Sequence, residues 1–281
     1  MLDRRLNACR PDLAEKALEG AVDAARFVAG VPARIDLPKA ALRPEASVEA
    51  GIDTELLLGE PVIEFDRRDG WAWVKSGLDG YVGYVEETAL AAPRAEPTHW
   101  VTAPRTFLYP EPDMKRPAVT ALSMGSRLAV TGEAETRGTR YLLVDGGAVI
   151  ARHMGEVDRP VADDFVAVAS RFLETPYLWG GRTGFGLDCS GLVQLSMMMA
   201  GRRVLRDTDM QRDTIGLEIG RSDLRRGDLV FWKGHVAILC DRETMIHASG
   251  FTMDVSHEGL ESAIRRIEAM YGSPVAYRRP A

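Results

Sequence analysis

The sequence predicts an α+β protein in which a C-terminal catalytic domain follows two small β-barrels. Three observations carry that prediction. Residues 46–95 and 97–156 break into short β-like runs separated by tight turns, the texture of small barrels. The two stretches resemble each other weakly, as tandem copies of one unit do. From residue 160 to 281 helical and strand patterns mix, and the residues suited to chemistry concentrate there.

In chain order, residues 12–29 place Leu13, Ala17, Leu18, Val22, Ala25, Phe27 and Val28 at helical spacing, with Gly30 and Pro32 as a stop. Residues 31–46 hold Pro32, Pro38 and Pro44 without a clear period and read as an extended segment. Residues 1–45 are thus expected to form a helix and an arm. In the first barrel, Val62-Ile63-Glu64-Phe65 and Trp71-Ala72-Trp73-Val74-Lys75 flank the turn Arg68-Asp69-Gly70, and Asp79-Gly80 marks a second hairpin. Thr54, Leu56, Leu58, Gly59, Val62 and Gly80 reappear 66 positions later as Thr120, Leu122, Met124, Gly125, Leu128 and Gly146. Trp71-Ala72-Trp73-Val74 finds its counterpart in Tyr141-Leu142-Leu143-Val144 after a small insertion. The texture resembles bacterial SH3-like modules, more closely in the first copy. A boundary near Asp158-Arg159-Pro160 precedes a helical pattern of Val161, Phe165, Val168, Ala169 and Phe172, ended at Thr175-Pro176.

Composition excludes several classes. A hydrophobic fraction of 46% excludes a disordered chain. Lys+Arg 35 against Asp+Glu 41 gives a net charge of -6 with both signs scattered, so no nucleic-acid partner is expected. The three cysteines, Cys9, Cys189 and Cys240, form no C-x-x-C pair, which argues against a disulfide framework and a Cys-rich zinc module. No apolar segment of signal-peptide or membrane-spanning length is present in the sequence as written, and the expected location is the cytoplasm, with no membrane partner. A monomer is the expected form.

The segment from Pro176 to Val193 carries four glycines within seven residues, Gly180, Gly181, Gly184 and Gly186, and then runs into an apolar helix ended by Gly201. Cys189 therefore falls at a helix N-terminus, where free N–H groups and the helix dipole favour a thiolate and can hold an oxyanion. Farther on, Gly234-His235-Val236-Ala237-Ile238-Leu239-Cys240 and Met245-Ile246-His247-Ala248-Ser249 read as neighbouring strands. Alternation puts His235, Ala237 and Leu239 on one face and Cys240 on the other. A hairpin would bring both histidines to one face near its open end. His235 then serves as the base for Cys189, and His247 accepts a hydrogen bond from its other ring nitrogen. His99, His153 and His257 read as surface or packing residues. A zinc site built from Cys189, His235, His247 and Cys240 is the rival use of these atoms, but no pair has the close spacing of zinc motifs. No metal and no cofactor are expected.

At these residues the sequence resembles the NlpC-type family of papain-like bacterial cell-wall cysteine peptidases. The matching pieces are Tyr177-Leu178-Trp179-Gly180-Gly181, Asp188-Cys189-Ser190-Gly191-Leu192-Val193, Arg226-Gly227-Asp228-Leu229-Val230-Phe231, Gly234-His235-Val236-Ala237-Ile238 and Ile246-His247-Ala248. The resemblance implies a papain-like domain over 160–281 with a triad of Cys189, His235 and His247. Two SH3-like modules ahead of it are similar to the branch that cleaves the γ-D-glutamyl–diamino acid bond of murein peptides. That likeness implies that Asp188 binds the free α-amine of an N-terminal L-Ala and that Ser190 and Thr208 make further polar contacts. It implies that Tyr177 donates to the oxyanion, and that Glu60 and Tyr81 of the first module close the cleft around the peptide end. Thr208 stands where the family has Ser. Without the resemblance, Glu60 and Tyr81 read as ordinary barrel surface. The expected partner is a murein peptide, L-Ala-γ-D-Glu-diamino acid, with diaminopimelate or Lys at the third position. An acyl or amide transferase using the same triad, and a non-catalytic wall-binding protein, are the alternatives.

Overall fold

The computed structural model describes residues 2–157 and 159–281; Met1 and Asp158, the latter part of the expected boundary, lie outside the described residues. The chain divides into two compact units, one ending at Val157 and the other running to Ala281.

The N-terminal unit corrects the reading of residues 1–45. Among the described residues of 12–29 there is no α-helix, only a two-residue strand Ala14–Glu15 beside Phe27–Val28 and a 3-10 turn Lys16–Leu18. The helical spacing was incidental: Leu13 is buried but Ala17 and Ala25 are exposed, and Gly20 turns the chain with φ +83°. Instead of forming its own helix, the segment covers an apolar part of the first barrel. Ala8 and Leu13 pack with Trp73 and Val82, the Arg10 guanidinium lies 4.4 Å from the Trp73 ring centroid, and Lys75 Nζ donates to Glu15 at 2.8 Å.

The supposed arm, 31–45, belongs to the barrel itself. Strand Val31–Ile35 pairs with Pro61–Arg68 and Leu90–Ala91, and Lys39–Leu42 pairs with Thr54–Leu57. The prolines hid these strands without preventing them. Pro32 sits where only the 61–68 strand pairs, while Pro38 and Pro44 lie just outside the 39–42 strand. The first barrel thus begins at residue 31 rather than 46.

Both copies share backbone detail that the 66-residue offset anticipates. In the first, strands 61–68 and 71–76 pair with a bulge at Phe65; in the second, 130–136 and 139–144 pair with a bulge at Thr131. Each hairpin closes on two consecutive left-handed residues, Asp69 and Gly70 (φ +52° and +82°) or Arg137 and Gly138 (φ +52° and +77°). That turn matches the right-handed twist of the strands it joins. In the second copy a five-stranded antiparallel sheet and a three-stranded one enclose Val101, Leu108, Leu122, Leu128, Val144 and Val149.

The C-terminal unit sets helices against a six-stranded antiparallel sheet with the order 217–218, 276–279, 229–232, 235–239, 244–249, 254–259. Its helices are α1 (Phe165–Ser170), α2 (Cys189–Met199), α3 (Thr208–Thr214) and α4 (Leu260–Tyr271). Helix α1 is shorter than its apolar spacing suggests, because Asp164 caps it through the Val166 N–H at 2.9 Å. Helix α2 is buried nearly all round, so its sequence carries little amphipathic contrast. Helix α4 is amphipathic and packs Leu260, Ala263, Ile264 and Ile267 against Val230, Trp232, Ala237, Leu239 and Met245 of the sheet. No helix among the described residues is long and apolar enough to cross a membrane.

Candidate active site

The site is built where the start of α2 meets the 235–239 strand. Asp188 takes an extended conformation as N-cap, and its Oδ1 accepts the Gly191 N–H at 2.7 Å. Cys189 follows as the first helical residue, 6% exposed. The turn before it must pass very close to the helix: a Cβ on Gly191 would lie 2.3 Å from the Gly181 carbonyl oxygen. Only glycine fits there. Because Gly191 is held by its cap, the preceding N–H groups of the first turn remain outside the helical ladder, as donors for a reacting oxygen.

The Cys189 sulfur lies 4.0 Å from the Gly234 carbonyl oxygen, accepts from the Val236 N–H, and stands 3.8 Å from Thr208 Oγ1. It therefore rests against the backbone on both sides of His235. Strands 235–239 and 244–249 form the expected hairpin, with Ile238 opposite Ile246 and Leu239 opposite Met245. At its open end His235 Nε2 and His247 Nδ1 are 2.9 Å apart, the rings meeting edge-on with centroids 5.1 Å apart. Trp232, opposite His235 on the neighbouring strand, packs its ring 5.7 Å from the imidazole. Cys240 is half-buried at the far end of the strand.

Burial, and then the Asp188 charge, push the Cys189 thiol up to about 11, against smaller pulls from the Val236 N–H, Thr208 and Arg206. Burial pushes His235 down to about 4, with Arg266 adding and Glu258 opposing. Burial, then His235 and Arg266, hold His247 at about 3. Burial thus works against the resting thiolate that a helix start favours, and it holds thiol and imidazole toward their neutral forms. Burial also raises Tyr177 above the usual phenol range, with the neighbouring Cys189 and Asp188 adding to it, so its O–H stays a donor.

These shifts predict acid sensitivity. Both histidines are depressed from 6.5, so below about pH 6.5 the unfolded chain binds protons that the folded one refuses. Their stabilising contribution is complete above that pH and is lost as pH falls toward about 4 and about 3. Urea midpoints measured from pH 7 to pH 4 should fall, and His235→Asn with His247→Asn should flatten the decline.

Asp188 is held by several donors. Its carboxylate accepts from Gly180 N (3.0 Å), Gly191 N (2.7 Å), Ser190 Oγ (3.3 Å) and both terminal nitrogens of Arg206 (2.9 and 2.7 Å). These donors fix the carboxylate beside the turn that presents Cys189. Ser190 is drawn into the same cluster, its Oγ accepting from Arg206 at 2.8 Å. Thr208, expected to make a polar contact to the peptide, has its Oγ1 3.8 Å from the Cys189 sulfur. Glu60 and Tyr81 lie in the N-terminal unit and are 1% and 2% exposed, not ordinary barrel surface. The Glu60 N–H donates to Leu57, and that of Tyr81 to Asp79 Oδ1.

Sequence reasoning missed Arg206, 1% exposed, and Gln211, whose Nε2 donates to the carbonyls of Ser190, Leu205 and Arg206. Both lie in the Arg206-Asp207-Thr208-Asp209-Met210-Gln211 run, where a charged or amide group beside a Thr already singled out was the available signal. It also missed Glu258 and Arg266 behind His247.

A thiol at a buried helix start, with a hydrogen-bonded histidine pair on the facing antiparallel sheet, defines a papain-like thiol hydrolase. Residues 174–271 match the NlpC/P60 family, and residues 42–90 match the bacterial dipeptidyl-peptidase Sh3 domain. A gamma-D-glutamyl-L-lysine dipeptidyl-peptidase of Bacillus cereus is 30% identical over 70% of this chain and 67% of its own length. Dipeptidyl-peptidase 6 of Lysinibacillus sphaericus is 26% identical over 74% of this chain and 84% of its own. In fold, the chain is similar to the crystal structure of an NlpC/P60 family protein from Bacillus cereus, with a TM-score of 0.74, 23% identity, and coverage of 89% of this chain and 99% of the other. The chain belongs to the NlpC/P60 family and is a cysteine peptidase.

Proposed function

We propose that the protein hydrolyses the γ-D-glutamyl–diamino acid bond of murein peptides that carry a free N-terminal L-Ala. The observation that carries the reading is the Cys189 thiol held against the Gly234 carbonyl and Val236 N–H on either side of His235, with His235 Nε2 2.9 Å from His247 Nδ1. The names of the relatives from Bacillus cereus and Lysinibacillus sphaericus supply the bond type and the dipeptide-releasing mode.

Cys189 attacks the γ-carbonyl carbon while His235 takes the thiol proton. The oxygen that gains charge is held by N–H groups at the start of α2 and by the Tyr177 O–H, each such donor worth about 100- to 1000-fold in rate. His235 returns the proton to the departing amine, leaving a thioester on Cys189. Water, deprotonated by the same imidazole, then releases the dipeptide and restores the thiol. No step calls for a cofactor.

The free-amine requirement rests on the resemblance at Asp188, Glu60 and Tyr81. Incubation with L-Ala-γ-D-Glu-diaminopimelate, its L-Lys counterpart, and the N-acetylated form of each tests it directly. Release of L-Ala-D-Glu from the free peptides, with the acetylated ones untouched, is the expected result. Equal cleavage of free and acetylated peptides would remove amine recognition; cleavage of none would remove the substrate class. The ratio of the diaminopimelate and Lys rates fixes the preference at the third residue.

A further inference from the structure

Behind the histidine pair stands a carboxylate with no counterpart in the three-residue constellation. Glu258 lies on the 254–259 strand opposite Met245, two residues along from Ser256, which is opposite His247. Residues two apart on a strand share a face, so Glu258 and His247 project to the same side of the sheet. Glu258 Oε2 is 3.3 Å from His247 Nε2. Arg266, two turns into the helix after α4 begins, grips the same carboxylate through Nε at 3.0 Å and an Nη at 2.5 Å, and its guanidinium lies 4.5 Å from the Phe251 ring centroid. The carboxylate is thus fixed by a two-pronged ion pair before it meets the histidine.

We propose that Glu258 is a positioning residue that dictates which ring nitrogen of His235 acts as the base. The inference rests on His235 serving Cys189 as proposed above, and it follows from counting donors along the row. A carboxylate already bound by a guanidinium offers His247 only acceptor oxygens, so His247 Nε2 carries the proton. Its Nδ1 is then a bare lone pair. His235 Nε2, 2.9 Å away, must in turn carry a proton to donate. What remains on His235 is an unprotonated Nδ1, the one ring atom able to accept from a thiol. A single acidic side chain, two residues removed from the chemistry, selects the reactive tautomer of the base.

An amide in place of the carboxylate can turn its NH2 toward His247 and favour the opposite assignment at every link, leaving His235 with Nδ1–H and no basic atom toward the sulfur. The test is to label the histidines with 15N and read ring tautomers by two-bond 1H–15N correlation at pH 7, where both rings are neutral. The wild-type protein should show Nε2–H at both His235 and His247. In Glu258→Gln the two rings should gain the Nδ1–H form together. With the free tripeptide as substrate, kcat should drop about 10- to 100-fold, the size of effect seen when a carboxylate behind a histidine is lost. KM should stay within about 2-fold, since no substrate contact is removed. A wild-type His247 carrying Nδ1–H would overturn the proposal, and so would a folded Glu258→Gln that keeps kcat and both Nε2–H signals. If Glu258→Gln does not fold, the wild-type spectrum alone decides. The tautomers are read without turnover, so failure of the tripeptide as a substrate is a separate outcome.

Discussion

Cys189→Ala should abolish peptide cleavage, lowering the rate by about 10^5- to 10^6-fold, the loss that follows removal of a covalent nucleophile. The variant should fold as the wild type does. The sulfur is small, its contacts to Thr208 Oγ1 at 3.8 Å and the Gly234 carbonyl at 4.0 Å are long, and Asp188 still caps α2 through Gly191. A change in stability within about 1 kcal/mol is the expectation for so small a deletion that removes only weak sulfur contacts. Single-turnover assays with the free tripeptide, beside thermal unfolding of the same preparation, provide the check. Cleavage that survives the substitution would exclude Cys189 as the nucleophile. The wild type should also lose activity to iodoacetamide slowly at pH 7, because its thiol is held up at about 11.

Arg206→Met should have the largest effect on stability, about 3–5 kcal/mol, the cost of stripping one partner from a buried ion pair. Arg206 is 1% exposed and holds Asp188 through two bonds, Ser190 through a third, and the Gly181 carbonyl at 3.3 Å. Methionine fills comparable space yet leaves the Asp188 carboxylate buried with only neutral donors. The loss should show in urea unfolding of the full chain. Asp188→Asn combined with Arg206→Met should recover part of it, because no isolated charge then remains, and the coupling of the two sites is read from that cycle. If Arg206→Met alone is nearly neutral, the ion pair does not anchor the loop that presents Cys189.

The residues of the proposed triad were legible in the sequence because each sits in a segment with a local signature. Cys189 follows a glycine-dense turn into an apolar run, and His235 and His247 interrupt strands that are otherwise apolar. Their supports were not legible. Arg206 meets Asp188 across 18 residues and Arg266 meets Glu258 across 8, and nothing in a long charged side chain announces the partner it will fold onto. The N-terminal stretch failed for another reason. Spacing such as Leu13, Ala17 and Leu18 is ambiguous when it rests partly on alanines, and here only Leu13 of the three is buried. The prolines of residues 31–45 argued against strands in general, but they stand at positions where a strand needs no donor. Barrel texture survived because turns are written locally: Asp69-Gly70 closes its hairpin as its composition suggests.

The paired bulges at Phe65 and Thr131 set which side chains reach the core of each barrel. Each adds one residue to its strand, so every side chain beyond it faces the side opposite to the one an unbroken ladder would give. Losing the extra residue in either copy would turn core positions outward and outer ones inward along the rest of that strand. A single-residue deletion at either bulge is therefore expected to cost that barrel much of its core.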